Sequence, residues 1–322
     1  MTTRRQFVAA GALAPFALHA RAQARAVKIG ILSSRSAKTS SVYGLLVHAL
    51  AQLGYREGGN LRLEHRSSES APGREPALAR ELIEQKCDLI FALGPSSTAR
   101  AFSKLLTRVP VVFLALDYDP QQKGIVTSLR HPSGNMTGVY ALEAARAAKQ
   151  LEVALQVLPA AQRFMVFTDN ATKEQLAGLK NAVDRRGVDL LVVEYAERPY
   201  DFAQAFDMAH RENVQAFIGL SSAGFTAERP ALVDHLLRYR LPAFVASGSM
   251  SEAFLAACGI DFATAARRMA EMAARILKGA NPADIPVEEV NDFEVVVNLQ
   301  TAKKMDVTVP QAVLARATRV VQ

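Results

Sequence analysis

The 322-residue chain contains no tryptophan, only two cysteines and only six histidines. Cys87 and Cys258 are too few for a disulfide framework or a zinc site. They read as two buried thiols; an exported protein could join them only if their Cα atoms fell within disulfide reach. His19 lies in the leader described below. His48, His65, His131, His210 and His235 are scattered, and no two histidines stand four residues apart. The motifs G-x-x-x-x-G-K-[ST], H-E-x-x-H and G-x-S-x-G are missing. No catalytic residue, metal or cofactor is expected, and an enzyme is the reading these absences disfavour.

Long charge runs and low-complexity stretches are absent too, which excludes extensive disorder. The formal charge of +7 invites a nucleic-acid reading. Residues 1–22 hold Arg4, Arg5 and Arg21 and no acid, so without them 38 basic side chains become 35 against 31 acidic ones, or +4. Those charges are interspersed, with no basic stripe interleaved with aromatics, so no nucleic-acid partner is expected.

The first residues read as an address. Arg4-Arg5-Gln6-Phe7 opens an apolar run over 7–18, and Ala20-Arg21-Ala22 supplies a small-residue cleavage pattern. Residues 1–22 are therefore expected to be a signal peptide, of the twin-arginine or the ordinary Sec kind. The apolar run falls short of the roughly 20 residues that span a bilayer. No cysteine follows the cleavage region, so the mature chain, starting near Gln23, is expected to be periplasmic, free of the membrane and monomeric.

Beyond the leader, short apolar runs alternate with amphipathic stretches. Strands are predicted at 27–32, 61–65, 88–93, 109–116, 163–168, 188–194, 215–220, 242–246 and 293–297. Helices are predicted at 42–53, 76–86, 96–106, 143–158, 173–185, 200–211, 227–239 and 263–278. Strand–helix alternation means parallel sheets covered on both faces. The passage His131-Pro132-Ser133-Gly134-Asn135 breaks the rhythm, which divides the α/β chain into two Rossmann-like lobes around a central cleft. Lobe 1 is expected to hold 27–135 with about 248–280, and lobe 2 to hold 136–247 with about 281–322. The crossing at 130–138, with Gly134 and Gly138, is the expected hinge.

Several segments, in order, resemble one family. Gly54-Tyr55-Arg56-Glu57-Gly58-Gly59-Asn60 is similar to a G-Y-x-E-G-x-N pattern, and Val109-Pro110-Val111-Val112-Phe113 to an I-P-I-V-F strand. The stretch 128–138 resembles S-L-x-x-P-G-G-N-x-T-G, the stretch 276–287 resembles I-L-K-G-x-x-P-x-D-x-P-V, and 293–303 resembles F-E-x-V-I-N-x-x-T-A-K. These are patterns of the bacterial ABC-transporter substrate-binding proteins that include tryptophan- and tyrosine-binding receptors. The resemblance implies a type I periplasmic binding fold, a small-molecule ligand (an amino acid or carboxylate, aromatic ones included), and an ABC permease and ATPase as partners. A periplasmic sensor docking to a membrane kinase or chemoreceptor would share the fold. The chain departs from the family's G-G-L-M-S-Y-G at 257–262. It also has Ser221-Ser222-Ala223-Gly224 where an acidic residue is common.

Ligands of parallel sheets sit beyond the strands' carboxyl ends. In the first lobe the candidates are Ser34 and Arg35, Gly94, Ser96, Ser97 and Thr98, and Asp117 and Tyr118. Gly94-Pro95-Ser96-Ser97-Thr98 joins a strand to a helix start, where free N–H groups and hydroxyls suit a carboxylate; Ser96 or Ser97 is also expected to cap that helix. Arg35 is either a bidentate carboxylate clamp or a solvated side chain. Asp117 is suited to a ligand ammonium and Tyr118 to stacking on it, with Asp119 starting a turn before Pro120. In the second lobe Asp169, Ser221, Ser222 and Ser247 end strands, Asp169 being read first as a helix cap. Phe225 is read as core.

Overall fold

A computed structural model describes residues 25–322 apart from 35, 38, 39, 70, 72, 106, 117, 133, 198 and 247–252. The leader at 1–22 lies outside the described residues. The first stretch runs β1 (Val27–Ser33), α1 (Ser41–Gln52), β2 (Leu61–Ser67), α2 (Glu75–Glu84), β3 (Leu89–Gly94), α3 (Ser96–Ser103), β4 (Val111–Leu116) and β5 (Met136–Ala141). The second runs α4 (Glu143–Val157), β6 (Arg163–Thr168), α5 (Lys173–Arg186), β7 (Asp189–Glu194), α6 (Phe202–Arg211), β8 (Ala216–Gly219), α7 (Ala223–Ala227), α8 (Arg229–Arg238), β9 (Ala243–Ala246) and β10 (Phe254–Ile260). The tail holds α9 (Phe262–Leu277), β11 (Glu288–Glu289), β12 (Phe293–Asn298), α10 (Leu299–Lys304), α11 (Gln311–Arg316) and β13 (Arg319–Val321).

Two sheets result. The first has strand order β11-β5-β4-β3-β1-β2, all parallel. The second has order β13-β12-β10-β9-β8-β6-β7, parallel except where β12 runs against β10. Successive strand residues serve opposite faces, as the two-residue period of a strand requires. Leu89, Phe91 and Leu93 pack with α1 and α9, whereas Ile90 and Ala92 pack with α2 and α3. In the second sheet Phe164 and Val166 face α4 and α5, and Met165 and Phe167 face α6 and α8. Each fully buried Leu, Ile, Val, Met or Phe among them contributes about 1.5–3 kcal/mol relative to exposure. Local chemistry sets the helix ends. Ser40 accepts the Tyr43 N–H before α1, and Gly187 ends α5 in the left-handed region (φ 65°).

The chain crosses between the sheets three times: at Leu142, at Asp261 and at 290–292. β5 is thus a strand of the first sheet, although the break before it had suggested the start of the second lobe. Gly138 pairs with Phe113, and a methyl group at Gly138 would fall 2.7 Å from the Phe113 nitrogen. The glycine serves close strand approach rather than hinge rotation. Two other placements differ from the expected division of the tail. Residues 254–260 form a central strand of the second sheet, and Glu288–Glu289 belongs to the first. The crossings are tied together: Asp261 N–H donates to the Asp292 carbonyl (3.0 Å) and Val290 N–H to the Tyr140 carbonyl (2.7 Å). Arg268 on α9 holds the Glu289 carbonyl (3.1 Å) and the Asp292 carboxylate (2.6 Å).

Candidate functional site

β5 and β10 leave their sheets at their carboxyl ends, each through a single residue, so the carboxyl ends of both sheets border the crossings. The described candidates lie at or just beyond the carboxyl ends of β1, β3, β4, β6 and β8.

In the first unit the chain turns at Gly94 with φ +146°, a conformation open to glycine. A methyl group there would lie 3.1 Å from Thr98 Oγ1 and 3.2 Å from Ser34 Oγ, so the absence of a side chain lets the two hydroxyls converge. Thr98 is 0% exposed, and its Oγ1 has no hydrogen-bond partner among the described residues. Such a group costs about 1–3 kcal/mol unless something supplies a partner. The expected serine cap is corrected: Pro95 occupies the N-cap of α3 and has no side-chain oxygen to satisfy the first turn. Ser96 opens that helix uncapped. Ser97 Oγ donates to the buried Glu75 carboxylate (3.1 Å), which engages the hydroxyl within the protein.

Tyr118 packs in the core with Phe102 and Phe113. Burial pushes its pKa up against the opposing charge of Arg100, and its hydroxyl has no partner among the described residues. Asp119 Oδ1 accepts the N–H groups of Gln121 (2.7 Å) and Gln122 (3.1 Å), forming the turn expected at Pro120. Arg35, Asp117 and Ser247 lie outside the described residues.

In the second unit Asp169 follows β6. It does not cap α5, whose N-cap is Thr172; its Oδ1 accepts the Ala171 N–H (3.0 Å) instead. The other oxygen, Oδ2, accepts from Ser222 Oγ (2.6 Å) and from the Tyr200 hydroxyl (3.3 Å). Asp169 is 8% exposed and makes no ion pair with any described residue. Ser222 also caps α7, accepting the Phe225 N–H (3.1 Å). Ser221 is held at its backbone by the buried Gln175. Phe225 is core, as read.

Four contributors were not among the candidates read from the sequence: Tyr195, Tyr200, Gly224 and Gln175. Tyr200 had been placed at a helix start, yet it stacks on Tyr195 (centroids 4.8 Å apart, 29° between planes) and reaches Asp169. Gly224 leaves the space that the Tyr200 hydroxyl fills, and a methyl there would also come within 3.2 Å of Asp169 Oδ2. Gln175 gave no signal, because polar residues are common in a helix's first turn. For the two tyrosines the available signal was their place after the carboxyl end of β7.

No group of three or more metal-ligating side chains occurs among the described residues, and no described helix is long and apolar enough to cross a membrane. Cys87 and Cys258 are both buried and free, in the cores of different units. Burial pushes the Cys258 thiol up to about 12.

Comparison with known proteins agrees with this architecture. The chain is 24% identical over 264 residues to the "Tyrosine-binding protein" of Clostridioides difficile (strain R20291), covering 81% of this chain and 75% of that protein. The fold matches the ligand-free, open structure of a substrate binding protein with adhesive properties from Clostridium difficile (TM-score 0.79, 22% identity, 92% of this chain and 99% of the other). It also matches the ABC domain in complex with L-Trp from Streptococcus pneumonia (TM-score 0.70, 22% identity, 92% and 100%). The family described as ABC transporter substrate binding protein matches residues 27–321. With that match running through both sheets and all three crossings, this chain belongs to the ABC transporter substrate binding protein family.

Proposed function

We propose that this protein is a periplasmic receptor that binds an amino acid, aromatic ones included, between its two units and delivers it to an ABC permease and ATPase. The observation that carries the reading is Asp169. A buried carboxylate normally has a cationic partner, because an unpaired buried charge is costly. Asp169 has hydroxyl donors and one backbone donor but no cation among the described residues. A ligand ammonium supplies the missing charge. The first unit offers the complement: the Thr98 and Ser34 hydroxyls and the uncapped amino end of α3 suit a carboxylate. Tyr195 and Tyr200 provide an aromatic face beside Asp169.

A zwitterion held this way bridges both units. It binds the closed arrangement better than the open one, and so shifts the population toward the form a permease would recognise. The three short crossings are the pivots in this reading. The relatives that bind tyrosine and L-Trp support the ligand class. The leader at 1–22 supports export by the twin-arginine or Sec route.

The test is a thermal-shift screen of the mature chain against the twenty amino acids and a set of small carboxylates. At 100 times the dissociation constant a ligand adds about 2.7 kcal/mol of stability, an easily read rise in melting temperature. No shift with any compound would sink the receptor reading.

A further inference from the structure

Two buried side-chain amides reach the turn that carries Ser222. From α4, Gln150 Nε2 donates to the Gly219 carbonyl (2.8 Å) and the Phe244 carbonyl (3.4 Å). From the first turn of α5, Gln175 meets Ser221 at two points: Oε1 accepts the Ser221 N–H (2.8 Å), and Nε2 donates to the Ser221 carbonyl (2.9 Å). One amide orientation alone satisfies both contacts, since the oxygen must face the N–H and the nitrogen must face the carbonyl. Gln175 is 6% exposed whereas Ser221 is exposed. Packing therefore does not hold Ser221, and the amide clamp does.

The clamp sits next to the charge. Asp169 and Gln175 flank the same β6–α5 connection, and both grip the facing β8–α7 turn: Gln175 through Ser221, Asp169 through Ser222. The Ser222 and Tyr200 hydroxyls occupy Asp169 Oδ2, and the Ala171 N–H takes one acceptor direction of Oδ1. The acceptor direction left on Oδ1 is aimed by the carboxylate plane that the Ser222 donation helps to fix, and Ser222 follows Ser221 in the clamped turn.

We infer that Gln175 is a positioning residue for amine recognition: its two-point hold on Ser221 presents Ser222 to Asp169 and so sets the preference for amine-bearing ligands. The inference rests on Asp169 receiving an ammonium group. An apolar side chain of similar length would leave both Ser221 backbone groups without this partner and let the turn reorient.

The test uses Gln175→Met in the full mature chain, with two readouts. The first is hydrogen–deuterium exchange of peptides covering 219–226 without ligand. The second is the calorimetric affinity for L-tyrosine relative to 3-(4-hydroxyphenyl)propanoate, which differs by lacking the amine. Exchange in 219–226 should rise about tenfold, and the preference for L-tyrosine should fall about tenfold with the analogue's own affinity kept. Unchanged exchange overturns the inference, as does an equal weakening of both ligands, which marks a merely structural role. If the wild-type protein binds neither compound, the aromatic amino-acid reading fails on that result, and exchange in 219–226 alone decides the clamp. Should Gln175→Met not fold, Gln175→Glu carries the same test, since it keeps the shape and the acceptor but loses the donor to the Ser221 carbonyl.

Discussion

The Ser222 hydroxyl donates to Asp169 Oδ2 at 2.6 Å, joining the carboxyl ends of two strands whose residues stand 53 positions apart. The same serine caps α7 through the Phe225 N–H. One side chain thus orients a buried carboxylate and starts the helix beside it. The Tyr200 hydroxyl completes the group, leaving a negative charge with polar donors and no cation among the described residues.

Asp169→Asn removes that charge and keeps the shape. Affinity for the amino-acid ligand should fall about 10–100-fold, the scale of one charged hydrogen bond. The ligand-free protein should lose about 1–3 kcal/mol, since the amide nitrogen of asparagine cannot accept a hydrogen bond that one of the two carboxylate oxygens takes from Ser222, Tyr200 or Ala171. Calorimetry and a denaturant titration check the two halves; a wild-type affinity in the variant excludes Asp169 from the site.

Thr98→Val tests the first unit. Because Thr98 Oγ1 has no partner among the described residues, exchanging the hydroxyl for a methyl group should leave the stability of the ligand-free protein within about 0.5 kcal/mol of wild type or raise it. Carboxylate affinity should fall about fivefold to tenfold. Ser97→Ala should behave differently: Ser97 serves Glu75, so its loss should lower the melting temperature more than the affinity. Equal behaviour of the two variants in both assays would contradict the assignment.

Gly224→Ala drives a methyl group into the Tyr200 hydroxyl and toward Asp169. Overpacking of this kind costs about 1–3 kcal/mol. Chemical denaturation should register that loss, and the affinity for amine-bearing ligands should drop with it. An alanine variant as stable as wild type would mean that Tyr200 does not occupy this place.

Cys258 bears on pH. Its thiol ordinarily titrates near 9.0, and burial pushes it up to about 12 in the folded protein. The unfolded chain therefore loses this proton first as pH rises, so this group's contribution to stability falls between about pH 9 and pH 12. Native protein at pH 8 should not react with a thiol reagent at Cys258, and unfolded protein should. Rapid native labelling would contradict the burial.

Much of the architecture was legible in the residues. Runs such as Val111–Leu116 and Arg163–Thr168 are rich in β-branched and aromatic side chains and sit between amphipathic stretches, so their periods identify them. The Ala- and Gly-containing strands Met136–Ala141 and Phe254–Ile260 were not legible. Their strand formers are interrupted by small residues, Gly138 in one and Ala256, Ala257 and Gly259 in the other, so no unbroken run of strand formers and no alternation marks them, and neighbouring strands such as Phe113 beside Gly138 complete their burial.

By itself the sequence determined the α/β class, the two series of strands, the loops after strands as places to look, and Asp169 and Ser222 as residues worth naming. Those properties follow from local periodicity and from what short segments can do with their own backbone. Only the tertiary structure decided which strands share a sheet, where the chain crosses, that Pro95 rather than a serine heads α3, and that Tyr200, Gly224 and Gln175 surround the carboxylate. Hydrogen bonds over 31, 46 and 53 positions build that group. Contacts at such separations depend on how whole strands pack, which no local pattern encodes.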